Sequence, residues 1–276
     1  MGALVIRGKE TARIHLSEIG FLLIESTAVA ITTSLLCELV ERKIKVVFCD
    51  EKHNPCSELV SLYGCHNVSA QLRKQLAWCD KTKAEIWTTI VQDKIRLQAK
   101  HLEMRSRTES RMLHQYWSEV QEGDLTNREG HAAKVYFNAL FGKSFTRSDD
   151  SNTINAALNY GYSLLLSVFN REVVTSGRLT QLGIWHNNTF NYFNLSSDFM
   201  EPFRPFVDHF VFELNVESKD FSVEVKHEML KVMEILINVN GSRQRLPNAI
   251  KLHVQKTLAA LDDNDPSVMA VVDYAV

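Results

Sequence analysis

Tyr63-Gly64-Cys65-His66-Asn67 marks the point at which the sequence changes its hydrophobic rhythm, and the fold class turns on that change. C-terminal to it, apolar residues recur at helical spacing, with Leu72, Leu76, Ile86, Ile90 and Leu97 close to one stripe. N-terminal to it, residues 4–6, 19–24 and 46–48 are short apolar runs separated by charged or turn residues, which is a strand pattern. Residues 31–40 read as a short helix between the last two runs, and residues 59–63 as a further strand or packed loop after the polar turn Asp50-Glu51-Lys52-His53-Asn54-Pro55. The expected architecture is α+β, with a small N-terminal β-rich domain over residues 1–66 and a larger all-α domain over residues 67–276. Within the second domain, helices are expected around 127–140, 155–174, 199–213, 223–239 and 247–261, with Gly142, Gly177 and Gly241 beyond several ends.

Hydrophobic residues at 45% and charged residues at 23% are ordinary globular usage, enough to bury a core. No apolar run approaches the roughly 20 residues that cross a bilayer, so no membrane partner is expected. The N-terminus lacks the basic, apolar and small-residue order of a secretory signal, and the expected location is the cytoplasm. The five cysteines show no C-x-x-C spacing and read as reduced and mostly structural. Cys56, Cys65, His66 and Cys79 form the one alternative metal set, without the closely spaced pairs usual in zinc sites. A net charge of −2 provides no global attraction to nucleic acid, so contact with DNA requires local patches. Residues 73–112 hold ten Lys or Arg against five acids, Lys94, Arg96 and Lys100 among them. That excess either faces phosphates or is a solvated helix face laced with i,i+4 pairs.

Three segments hold the candidate chemistry. In Asn127-Arg128-Glu129-Gly130-His131-Ala132-Ala133, helical projection aligns Glu129 with Ala133, Phe137 and Leu140, so a carboxylate opens an apolar stripe and needs a cation or donors to compensate it. The plainer reading is a first-turn acid favoured by the helix dipole. In Gly183-Ile184-Trp185-His186-Asn187-Asn188, His186 sits in a loop or at an element end, either as a metal ligand held through its other nitrogen or as a structural histidine beside Trp185. In Ser196-Ser197-Asp198-Phe199-Met200-Glu201-Pro202-Phe203-Arg204, Asp198, Glu201 and Arg204 share a helix face, and Asp198 with Glu201 also fits a capping box. One His with two or three carboxylates suits Mg²⁺ or Mn²⁺. There is no glycine-rich phosphate loop, H-E-x-x-H or G-x-S-x-G, so ATP hydrolysis, zinc proteolysis and serine hydrolysis lose support.

Together these segments resemble the CRISPR-associated integrase/endonuclease family, the larger of the two universal spacer-acquisition subunits, and its type II branch in particular. The resemblance extends to Asn155-Ala156-Ala157-Leu158-Asn159-Tyr160-Gly161-Tyr162, to Ile14-His15-Leu16-Ser17-Glu18-Ile19 and to Val46-Val47-Phe48-Cys49-Asp50, in the family order. It implies that Glu129, His186 and Glu201 are catalytic metal ligands, with Asp198 a supporting acid. It implies that Asn155, Asn159 and Tyr162 organise the helix beneath the site. The implied reaction is attack of the 3′-hydroxyl of a short double-stranded DNA fragment on a phosphodiester at the CRISPR repeat boundary, a transesterification. Arg204, Lys134, Lys143 and Arg147 would neutralise phosphate charge. The implied partners are a second copy of the chain through the β-rich domain, the small universal acquisition subunit, and in type II systems the effector nuclease and an accessory acquisition protein. Family members usually begin with a further strand-turn-strand stretch, so an incomplete N-terminal sheet with poor dimerisation is expected. Two other functions fit the same residues: a nuclease using water as nucleophile, and a non-catalytic DNA-binding scaffold whose acids are caps.

Overall fold

The computed structural model describes every residue except 1, 9, 62–64, 217–219 and 276, so part of the segment expected at 59–63 lies outside the described residues. The chain forms two compact units, Met1–His66 and Asn67–Val276. In the first, β1 (Ala3–Arg7) and β2 (Thr11–His15) form an antiparallel hairpin. Strand β3 (Phe21–Ile24) leads through helix α1 (Thr33–Glu41) to a parallel partner β4 (Lys45–Cys49), and β5 (Pro55–Leu59) adds antiparallel to β4. Leu4, Leu16, Leu39, Ile44 and Val46 form the buried core of this unit. Strand β2 was not expected from the sequence: Thr11-Ala12-Arg13-Ile14-His15 alternates polar and apolar residues but carries a single large apolar side chain, and the strand is almost wholly exposed.

The second unit is mostly helical. After α2 (Val68–Leu76), the 25-residue α3 (Asp80–Met104) runs through its centre, burying Ile86, Trp87, Ile90, Val91, Ile95, Leu97 and Leu102. Around α3 pack α4 (Ser110–Ser118), α5 (Arg128–Phe141), α8 (Arg204–Leu214) and α10 (Leu246–Asp263). Helix α6 (Thr153–Thr175) packs against α7 (Asn194–Met200), α8, α9 (Val223–Leu230) and α10. The single stripe expected from Leu72 to Leu97 is broken, since α2 and α3 are separate helices and Leu76 is 72% exposed while Trp78 between them is buried.

Two expectations are corrected here. The helix expected over 223–239 stops at Leu230, followed by a short 3₁₀ turn and strand β6 (Leu236–Val239). Strands β7 (Ser242–Arg245) and β8 (Val272–Tyr274) flank β6 antiparallel, so the helical unit contains a small sheet and is not all-α. The signal was present in Asn240-Gly241, both left-handed at φ 49° and 83°. This two-residue combination is the preferred hairpin turn rather than a helix end.

Three histidines are held neutral inside the helical unit. Burial pushes His253 and His209 down to about 4 and His101 to about 3. In the unfolded chain all three titrate near 6.5, so below that pH the unfolded state takes up protons that the folded state refuses. Stability is therefore complete above about pH 6.5 and declines as the pH falls toward about 4. His253 lies edge-on to Phe203 at 5.1 Å and to Phe169 at 6.3 Å, so an aromatic replacement fits its surroundings. Urea unfolding at pH 7 and pH 5 should show that His253→Phe loses less stability than wild type over this interval, by up to about 2 kcal/mol. Equal losses would mean that His253 is not held neutral.

Candidate active site

Glu129 stands in the first turn of α5, and the approach to that helix is unusual. Gly123, Asp124 and Asn127 all adopt left-handed backbone conformations. The buried Asp124 carboxylate accepts the amide N–H groups of Arg128 at 2.7 Å and Glu129 at 3.0 Å, and the Asn127 side chain accepts that of Gly130 at 3.3 Å. The orphan donors of the helix end are thereby satisfied by Asp124 and Asn127. The Glu129 carboxylate is left for another partner, contrary to its plainer reading as a solvated first-turn acid. Asp124 was not among the sequence candidates, although Gly-Asp three residues before an N-cap Asn is a turn signal.

That partner is Lys94 on α3. Its ammonium donates to Glu129 Oε1 and to Glu201 Oε2, both at 2.5 Å. Lys94 was expected to face DNA phosphate from an exposed helix surface; it is instead buried between two carboxylates, because α3 is packed on most of its circumference. Burial alone would lower its pKa, but Glu201 and Glu129 outweigh that and raise it. Glu201 is 4% exposed and begins the tight 3₁₀ turn Glu201–Phe203 between α7 and α8, with Pro202 next to it. Burial disfavours its charged form, yet Arg204 and Lys94 hold its pKa down to about 2. Arg204 Nε donates to Glu201 Oε1 at 2.8 Å, so the two oxygens of this carboxylate serve different cations.

Asp198 lies inside α7 rather than at its N-cap, so the capping-box reading with Glu201 does not describe it. Its fully buried carboxylate instead accepts the N–H groups of Ile184 at 2.7 Å, Trp185 at 3.1 Å and His186 at 3.1 Å, and the His186 ring Nδ1–H at 2.5 Å. Three backbone donors and one imidazole on one carboxylate fix both the loop and the ring, leaving His186 Nε2 with a lone pair. The hydrogen bond to Asp198 raises the His186 pKa against the opposing effect of burial, and Glu201 and Glu129 add to the rise. Trp185 stacks on Trp87 with centroids 5.6 Å apart, and Trp87 meets the His186 ring edge-on at 5.4 Å. Gly183 is required for this arrangement: a Cβ there would stand 2.6 Å from Asp198 Oδ2 and closer still to the backbone oxygen of His186.

The other basic candidates separate into three situations. Arg96 donates to Asp93 Oδ1 at 3.2 and 3.0 Å and to the Val272 carbonyl at 2.7 Å, while Lys100 donates to both oxygens of Asp273 at 2.8 Å. Both therefore brace α3 against β8 rather than forming an open phosphate-binding face, a distinction that charge counting along α3 does not make. Arg147 donates to Asn155 and, at 2.7 Å, to Asn159 on α6, and lies 5.5 Å from the Tyr162 ring centroid. Arg204 lies 4.6 Å from the same centroid. The Tyr162 hydroxyl donates to the buried Asp208, whose pKa burial pushes up to about 6. Asn155, Asn159 and Tyr162 thus form the bed on which these two guanidinium groups rest. Lys134 on α5 and Lys143 just beyond it are exposed.

The structure brings Glu129 and Glu201 onto one ammonium, that of Lys94, and both carboxylates contribute to the raised pKa of His186. Two carboxylates and an imidazole are a donor set for Mg²⁺ or Mn²⁺, and the Lys94 ammonium between the carboxylates shows that a cation fits there. Among the described residues, no three His, Cys, Asp or Glu side chains stand as a ready-made metal cage, which includes the cysteine set considered above. No disulfide joins the described cysteines, in line with the reduced reading; Cys49 is buried, Cys65 half-buried and Cys37, Cys56 and Cys79 exposed. No described helix is long and apolar enough to cross a membrane.

The chain is similar over residues 2–235 to the family described as CRISPR associated protein Cas1. It is 32% identical over 281 residues to the CRISPR-associated endonuclease Cas1 of Neisseria meningitidis, covering 98% of this chain and 92% of that protein. It is 23% identical to a second such protein from Francisella tularensis subsp. novicida, covering 92% and 89%. Among solved structures, the fold is similar to a casposase bound to an integration product, with a TM-score of 0.76 at 16% identity, covering 92% of this chain and 82% of that one. A Cas1 protein from Thermotoga maritima superposes with a TM-score of 0.71 at 15% identity, covering 95% and 92%. The extent of the family match and the relative at 32% identity establish that this chain belongs to the CRISPR-associated Cas1 family.

Proposed function

We propose that this chain joins the 3′-hydroxyl ends of short DNA fragments to the CRISPR repeat by divalent-metal-dependent transesterification. The observation that carries the reading is the convergence of Glu129 and Glu201 on one cation position, held here by the Lys94 ammonium. Glu129, Glu201 and His186 Nε2 would hold Mg²⁺ or Mn²⁺, which when bound supplies Lewis-acid stabilisation of charge developing on the phosphate. Asp198 keeps His186 in the tautomer whose Nε2 is available and holds its loop in place. Asp124 holds the α5 N-terminus from which Glu129 projects, and Arg204, held by Glu201 and against Tyr162, would neutralise phosphate. No side chain is needed as nucleophile, since the 3′-hydroxyl attacks directly.

The neighbour described as a casposase bound to an integration product supports joining, and the neighbours described as Cas6-RT-Cas1–Cas2 complexes support a small-subunit partner for this chain. A homodimer through the first unit, and the type II effector nuclease and accessory protein as helpers, complete the proposal, with the cytoplasm as its place of action. A second reading, hydrolysis with water as nucleophile, is favoured by the word endonuclease in the relatives' names. The deciding assay uses a labelled 3′-hydroxyl fragment and a repeat-containing duplex with the small partner subunit and Mg²⁺ or a chelator. Joined product that disappears with chelator supports integration; only shortened strands favour the nuclease; binding without either product favours a scaffold.

In that assay, Glu129→Gln and Glu201→Gln should each lower joining by at least about a hundredfold while DNA binding persists. A folded Glu129→Gln protein that joins normally would remove Glu129 from the site. Gly183→Ala should also reduce joining, by at least about tenfold, because it displaces Asp198 and with it the imidazole that Asp198 orients toward the metal position. Wild-type rates in that variant would show that the loop tolerates the shift. For affinity, Lys134→Glu with Lys143→Glu should flatten the salt dependence of DNA binding by about 0.9 for each phosphate that is no longer neutralised. Lys100→Glu should instead lower the melting temperature, and the opposite pattern would return the phosphate-binding role to α3.

A further inference from the structure

The Lys94 ammonium occupies the very oxygens a metal would use. Glu201 Oε1 is taken by Arg204, which leaves Oε2 to face the candidate metal position, and Lys94 takes Oε2. Glu129 Oε1 is bound to the same ammonium. Carboxylate oxygens bind Mg²⁺ at roughly 2.1 Å, so a dication on either of these oxygens would lie no more than about 4.6 Å from the ammonium nitrogen if Lys94 stayed in place. In a buried setting, two cations at that separation repel strongly.

Lys94 also explains how the free protein can hold this arrangement. Glu129 and Glu201 come from separate helical segments, and Glu201 is buried, so two carboxylates turned toward each other without a cation would drive the site apart. A lysine suits this role because its charge is compact and sits on a flexible four-carbon stem, able to swing aside.

We infer that Lys94 is a built-in competitor for the divalent ion: its ammonium neutralises the Glu129–Glu201 pair in the free protein and must leave that pair before the metal can enter. DNA phosphate arriving at the site offers the displaced ammonium a new partner. Metal loading and DNA binding therefore reinforce each other, and by linkage each tightens the other by the same factor. The inference rests on the metal-dependent reading above and concerns how that site is gated.

The test is Mn²⁺ binding, read from the loss of the free-ion electron paramagnetic resonance signal, on the full chain with and without a short DNA duplex. Lys94→Met, which keeps the stem and removes the charge, should bind Mn²⁺ at least about tenfold more tightly than wild type in the absence of DNA. DNA should tighten Mn²⁺ binding to wild type and have little effect on Lys94→Met. Lys94→Arg, whose planar fork grips both carboxylates, should bind Mn²⁺ no better than wild type, and it keeps the test decisive should Lys94→Met fail to fold. Mn²⁺ affinity in Lys94→Met equal to or below wild type, or tighter binding in Lys94→Arg, overturns the inference and leaves the metal site standing. No Mn²⁺ binding to wild type or either variant, with or without DNA, overturns the metal-dependent reading itself and this inference with it.

Discussion

Burying the Glu201 carboxylate is the constraint around which the helical unit is arranged. An ionised carboxylate 4% exposed is tolerable only if cations and donors surround it, and here Lys94 reaches it from α3 while Arg204 reaches it from α8. The same ammonium binds Glu129, so one charge cluster fixes the mutual placement of α3, α5 and the α7–α8 junction. Pro202 and Pro205 contribute from the backbone side, ending α7 in a tight turn so that Glu201 points into the cluster rather than along a continuing helix.

Around the cluster stand three carboxylates whose work is positional. Asp124 holds the start of α5, Asp198 gathers three backbone amides and an imidazole, and Asp208 receives the Tyr162 hydroxyl beneath Arg204. Each satisfies donors that would otherwise be buried without partners, and each thereby orients a side chain that faces the cluster. In the proposed reaction the groups that would meet a metal or phosphate are held by others that would not, so that their geometry is fixed from outside the site. The rigidity extends to Trp87, which supports the His186 loop through its stack with Trp185 and is itself locked in the core of α3.

The sequence by itself determined much of this. Hydrophobic rhythm changes at residues 63–67, and the described chain divides into units at His66 and Asn67. Long amphipathic stretches such as 128–141 and 153–175 announce their helices within a few residues, because burial of one face at 3.6-residue spacing is a local property of the chain. Glu129, His186, Asp198 and Glu201 stood out as acids and an imidazole in segments whose order carried the family resemblance. What the sequence could not determine was the direction of each charge. Lys94, Arg96 and Lys100 look alike on α3, yet the first is buried between carboxylates and the others brace β8, since which side of a central helix is covered depends on partners 35 to 176 residues away. Asp124 is held by amides only four and five residues on, through a left-handed turn that its neighbours do not announce. Asp198 fits a capping box on spacing alone, yet its donors on Ile184, Trp185 and His186 lie 12 to 14 residues away, and only the tertiary fold brings them to it.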